Sequence, residues 1–206
     1  MEMKERILLK AEELFCRYGV KSVTMDEIAN QMGISKKTIY QSYTDKDELV
    51  LEVFTAYMSE SKSKCLLDQE LAENAVHEIF LAIDMIEDML KALNASILFD
   101  LERYYPNTYN KFRAYKNDFL YNVIFKNLKR GIQEEVYRAD INVDIITRMR
   151  LGTVMFSMNM DIFPPGKYKL VEVEQEVLMH FLYGIATPKG TKLIQKYHSQ
   201  RQKSKA

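Results

Sequence analysis

The stretch Thr24–Lys46, TMDEIANQMGISKKTIYQSYTDK, packs a helix start, a helix stop and a second helix start into a few turns of chain. Thr24 with Glu27 three residues on has the spacing of a capping box, which begins a helix. Ile28, Ala29 and Met32 make one apolar stripe, with Ala29 small where two helix backbones approach closely. Gly33 supplies the positive φ that ends a helix in a left-handed cap. Ile34 then pins the turn and Ser35 caps the next helix. Helix, glycine turn and helix in this order is a helix-turn-helix.

The second of these helices divides its faces unusually. Ile39 points inward and Lys36, Lys37, Thr38, Tyr40, Gln41 and Ser42 are left outside. Cations and backbone N–H groups at a helix start suit a phosphate backbone. Hydroxyl, amide and amine groups suit base edges in a major groove. Lys36 and Lys37 are therefore the expected DNA contacts, and Thr38, Gln41 and Ser42 the expected base readers. Gln41 has the groups to bond an adenine edge twice, and Thr38 can touch a thymine methyl. Tyr40 and Tyr43 are placed at phosphates with their rings packed, pure core packing being the other reading for Tyr43. A lone Lys-Lys-Thr would read as a solvated surface helix; the caps, turn, Ala29 and Tyr40 together favour DNA.

The segment Gly19–Leu49 resembles the DNA-binding domain of the tetracycline-repressor (TetR) family of bacterial transcription regulators. The matching positions are Gly19, Thr24, Ile28–Ala29, Gly33–Ile34–Ser35, Thr38–Ile39–Tyr40, Tyr43, Asp45–Lys46 and Glu48–Leu49. The resemblance implies phosphate contacts from Thr24 and Lys46 and adds Ser35 to the DNA-facing set. Asp26 departs from it, since many members carry a basic residue there, and an acid facing phosphate would repel. The resemblance further implies a homodimer reading a pseudo-palindromic operator in double-stranded DNA, with an effector pocket enclosed by the middle helices. Phe99, Tyr104, Tyr105, Phe119, Asn122, Met155 and Asn159 are the candidate pocket walls. The dimer would form through a four-helix bundle drawn from Lys111–Glu135, Val143–Ile162 and Val171–Gly184. Phe156, Val177 and Phe181 are the candidate seam.

The rest of the chain reads as all-α: an N-terminal three-helix head and a larger helical-bundle body. The 206 residues suffice to bury a core. A first helix near Lys4–Tyr18 carries Ile7, Ala11, Leu14, Phe15 and Tyr18 at helical spacing. The head is expected over 1–46, and a helix over 45–64 joins it to a regulatory and dimerisation body over 47–190. In that body Asn74 caps a helix, Leu93–Tyr105 precedes a break at Pro106, and Gly131 and Gly152 fall inside helical segments. The residues 191–206 read as a basic, partly disordered tail.

Lys and Arg total 29, as do Asp and Glu, so the formal net charge is zero. That balance is mild evidence against nucleic-acid binding, although a local cationic surface suffices. Cys16 and Cys65 are too few for a disulfide framework or a zinc site and read as reduced thiols of a cytoplasmic protein. The N-terminus has no signal-peptide pattern, and no run is apolar and long enough to span a membrane. Cofactor loops, a nucleophile elbow and metal-binding His motifs are missing, so an enzyme, a metal site and a cofactor are not expected. Glu73/His77 and Glu176/His180 stand four apart, which reads as surface contacts. The expected function is sequence-specific transcription regulation by a repressor that a small, largely apolar effector releases from DNA. The alternative is a helical small-molecule or protein-binding module with no DNA role.

Overall fold

A computed structural model describes residues 2–91 and 93–205. Its helices are α1 (Met3–Tyr18), α2 (Met25–Met32), α3 (Lys36–Tyr40), α4 (Lys46–Leu71), α5 (Ala75–Lys91), α6 (Ile97–Tyr104) and α7 (Pro106–Ala114). A π-helical turn, Tyr115–Leu120, leads into α8 (Tyr121–Gln133), α9 (Val143–Ser157), α10 (Leu170–Ile185) and α11 (Pro188–Lys205). No strand forms among the described residues; one isolated bridge pairs Tyr137 with Ala186.

The chain divides into two compact units, Met1–Ser61 with Ala92–Tyr115, and Lys62–Lys91 with Lys116–Ala206. This differs from a division at Lys46, because the α6–α7 segment belongs with the head. The join is specific. The Asn94 amide donates to the Cys16 carbonyl at 2.7 Å, and the Lys21 amide donates to the Asp100 carboxylate at 3.0 Å. Gly19, at φ 83°, lets the chain turn there, and a Cβ would come within 2.6 Å of Ser96 Oγ. Ile97, Leu101 and Tyr105 thereby join Ile7, Phe15, Val20, Ile28, Ile39, Leu49 and Val53 in the first core.

Tyr18 leaves the expected α1 stripe: it is half exposed and stacks with Arg17. α4 runs on past Lys64 to Leu71, since nothing between Lys46 and Leu71 is Gly or Pro. α9 ends at Ser157, short of Ile162, because the Asn159 side chain accepts from the Asp161 and Ile162 amides and offers the backbone a turn instead.

The second core gathers Val76, Phe80 and Ile83 of α5, Leu128 of α8, Leu178, Phe181 and Leu182 of α10, and Ile194 and Tyr197 of α11. Gly131 within α8 is explained by Tyr137, whose ring leaves no room for a Cβ. The stretch read as a basic, partly disordered tail is helical as far as Lys205. Ile194 is fully buried, and the Tyr197 hydroxyl accepts from Asn74 at 2.8 Å and donates to Glu73 at 3.0 Å. Its ring stacks on His77, and Arg201 pairs with Asp84 and Glu87. Its few apolar residues, Ile194 and Tyr197 among them, join the second core, and the polar composition of the rest hides that.

Candidate nucleic-acid interface

Local chemistry builds the helix-turn-helix as its spacing predicts. Thr24 Oγ1 accepts from the Glu27 amide at 3.1 Å, and Glu27 Oε2 accepts from the Thr24 amide at 2.7 Å, a closed capping box. α2 ends at Gly33, φ 66°, whose turn lets the Ile34 amide reach the Ala29 carbonyl at 3.0 Å. Ser35 caps α3 through the Thr38 amide at 3.2 Å, and the two side-chain oxygens lie 2.9 Å apart.

α3 is short: its α-helical backbone stops at Tyr40, so Gln41 and Ser42 follow the helix and do not extend it. It buries Ile39 completely. Lys36, Lys37, Tyr40 and Gln41 are exposed beside it, with Thr38 and Ser42 half-buried. Thr24 and Ser35 are also exposed, so none of these eight expected DNA-facing residues is spent in the core.

Two others turn away. Tyr43 is only 1 % exposed. Burial, with Glu52 beside it, pushes its hydroxyl well above the ordinary tyrosine range. It is a core residue and not a phosphate contact, because Lys4 and the packed head cover its ring. Lys46 points inward too. Its ammonium donates to the Val20 carbonyl at 2.6 Å and lies over the rings of Phe15 and Tyr105. Burial lowers its pKa, partly offset by Asp100 and Asp47. In this geometry its charge serves the head and not a phosphate.

Spacing does not reveal that Lys36 pairs with Asp26, at 2.8 Å across the turn. Asp26, set aside because an acid repels phosphate, instead sits exposed in the first turn of α2 and holds one of the candidate DNA-contacting cations. Only the fold brings residues ten positions apart into contact here.

The candidate pocket residues are divided. Phe99 and Tyr104 are exposed in the first unit, and Tyr104 OH takes a hydrogen bond from Lys21 Nζ at 2.8 Å. Tyr105 is buried in the first core and lines a cleft with Asp45, Asp47, Glu48, Leu51, Asn107 and Thr108. Phe119, Asn122, Met155 and Asn159 belong to the second unit, where Phe119 and Met155 are half-buried and the two asparagines exposed. A cleft of about 170 Å³ in that unit is lined by other residues, among them Phe80, Met179, His198 and Arg201. Of the candidate seam, Phe156 is 46 % exposed and Val177 half-buried, but Phe181 is 5 % exposed. Phe181 is spent on the chain's own core and cannot be presented to a partner.

The model of bacterial regulatory proteins of the tetR family matches residues 7–53, which spans α1 to the start of α4. Over those residues the chain carries the DNA-binding domain of the TetR family. It is a DNA-binding transcription regulator, and the reading without a DNA role is not favoured. Among relatives of this chain is the uncharacterized HTH-type regulator YvaF of Bacillus subtilis, 27 % identical over 74 % of this chain and 79 % of that one. Another is the fatty acid metabolism regulator protein of the same organism, 24 % identical over 87 % of this chain and 94 % of that one. The fold matches that of the B. subtilis regulator FadR in complex with stearoyl-CoA, with TM-score 0.67, 21 % identity, and 88 % of this chain and 98 % of that one covered. Among the described residues no helix is long and apolar enough to cross a membrane.

Proposed function

We propose that this TetR-family regulator is a homodimeric repressor that lays α3 of each head in a major groove. Lys37, Thr38, Tyr40, Gln41 and Ser42 would make the contacts, with Lys36, Thr24 and Ser35 at the flanks. The supporting observation is that α3 hides Ile39 alone and leaves its cations, amide and phenol outward. Two heads then read half-sites about 34–36 Å apart or a multiple of that.

Dimerisation is assigned to α9 and α10. Ile145, Met149 and Phe156 are exposed along one side of α9, and Gly152 between them meets only open space. A glycine amid large apolar residues lets a second helix approach closely. On α10, Tyr183 is exposed and Gly184 open in the same way.

A small, largely apolar effector is the proposed release signal, with Phe119, Asn122, Met155 and Asn159 as candidate contacts. The FadR structure with stearoyl-CoA supports a long-chain acyl compound as the first to test. Release requires that the compound prefer the DNA-incompetent state. Fluorescence anisotropy with a duplex selected from genomic fragments is the experiment. Nanomolar, salt-sensitive binding that stearoyl-CoA weakens supports the whole reading. No binding to any duplex at low salt overturns it; binding indifferent to acyl compounds overturns the effector class alone.

A further inference from the structure

The acidic side chain that opens α2 is joined to the cation that opens α3. Lys36 Nζ lies 2.8 Å from Asp26 Oδ2, with both side chains half exposed. The bond is the foremost cause raising the Lys36 pKa, so the ammonium is fully charged and held. The neighbouring acid, Glu27, is engaged differently: both its capping bonds go to Thr24. Asp26 takes no part in that cap, and Lys36 is its side-chain partner among the described residues. Lys37, one residue on, has no side-chain partner among them. The two lysines of one helix start are therefore in different states, one neutralised within the protein and one open to solvent.

We propose that Asp26 is an internal stand-in for DNA phosphate: a carboxylate that holds Lys36 in the free regulator and competes with the DNA backbone for it. This rests on the reading of α3 as the DNA-contacting helix. Sequence-independent binding comes almost wholly from cations that displace counterions from phosphate. A lysine that leaves a carboxylate to reach a phosphate strands that carboxylate beside the polyanion, where it takes up a cation. The net counterion release from the Lys36 contact is then close to zero. Asp26 thus weakens binding to arbitrary sequence while leaving the base contacts of Thr38 and Gln41 untouched. The same cost falls on operator and random sequence, so Asp26 sets the electrostatic strength and salt dependence of binding and leaves discrimination to the base contacts.

The test uses the full-length chain, a random-sequence duplex, and anisotropy titrations between about 50 and about 200 mM salt. The variants are Asp26→Asn, Lys36→Gln and the double substitution, with Asp26→Ser as a second replacement and circular dichroism to check folding. Asp26→Asn is expected to bind random duplex more tightly than the parent. Its log–log salt slope steepens by about 0.9 per bound head, so its advantage shrinks about 3.5-fold per head across that salt range. In the Lys36→Gln background the same substitution has little effect, because there is no ammonium to release. An unchanged slope in both Asp26 variants overturns the proposal. So does a gain that persists in full without Lys36, which would make Asp26 a simple repeller of phosphate. Parent protein with no duplex affinity at about 50 mM salt fails earlier and overturns the DNA-contact reading instead.

Discussion

Lys46 Nζ and the Val20 carbonyl oxygen lie 2.6 Å apart, and the bond turns a lysine of the DNA-binding head inward onto the corner between α1 and α2. Lys46→Ala should therefore act on stability. Loss of a charge-assisted hydrogen bond at a half-buried site costs about 1.5–3 kcal/mol, read as a lower urea midpoint. The salt slope of DNA binding should hardly move. Lys37→Ala should do the reverse: an unchanged midpoint, and a slope shallower by about 0.9 per head. A slope that falls with Lys46 and not with Lys37 would mean the two roles are exchanged.

Arg150 of α9 and Glu174 of α10 form an ion pair at 2.6 Å, each side chain 7 % exposed. Glu174→Ala strands a buried guanidinium and should destabilise the chain by about 3–5 kcal/mol. The double replacement Arg150→Met with Glu174→Leu should recover most of that loss, since it also removes the cost of desolvating both charges. Chemical denaturation of the single and double variants checks this; additive losses would show that the pair is not coupled.

Phe156 and Phe181 should separate self-association from folding. Phe181→Ala empties a core position and should cost about 3–5 kcal/mol. Phe156→Ala should leave the unfolding midpoint of the monomer nearly unchanged and shift the dimer toward monomer in sedimentation equilibrium. An unaltered association constant for Phe156→Ala would remove α9 from the interface.

Burial pushes the Tyr105 hydroxyl from 10.0 up to about 12, with Asp47 and Asp100 adding to it. The folded value lies above the unfolded one, so the neutral phenol's contribution is complete below about pH 10. It is lost as pH rises from there toward about 12, because the unfolded chain releases the proton first. Tyr43 and Tyr57 are raised by burial too and act in the same direction. Tyr105→Phe should flatten the alkaline fall by up to one proton, about 1.4 kcal/mol per pH unit. Urea midpoints at about pH 9 and about pH 11 measure it; an identical fall in the variant would exclude Tyr105 as a contributor.

The parts of the head legible from sequence are those made by neighbours in the chain. Thr24 with Glu27 and Ser35 with Thr38 are contacts across three residues, and Gly33 needs only its own backbone freedom. The inward side of α3 is legible too, because Ile39 is its one aliphatic residue. Helix ends set by side-chain competition were not: Asn159 gives no stop signal until its amide oxygen is seen accepting from the backbone N–H groups of Asp161 and Ile162.

Sequence alone determined that this chain is helical, where its helix-turn-helix begins and ends, and which family that segment resembles, since each rests on short-range caps and spacing. Tertiary structure decided which side chains are spent inside. Tyr43, Lys46 and Phe181 have the chemistry of surface contacts, yet each is taken by a core or a carbonyl supplied from elsewhere in the chain. It also placed α6 with the head through Asn94 and Asp100, ordered α11 against α5 through Tyr197 and Arg201, and set Asp26 against Lys36. The reason is that burial and charge pairing depend on distances in space, which the spacing of residues along a helix leaves open.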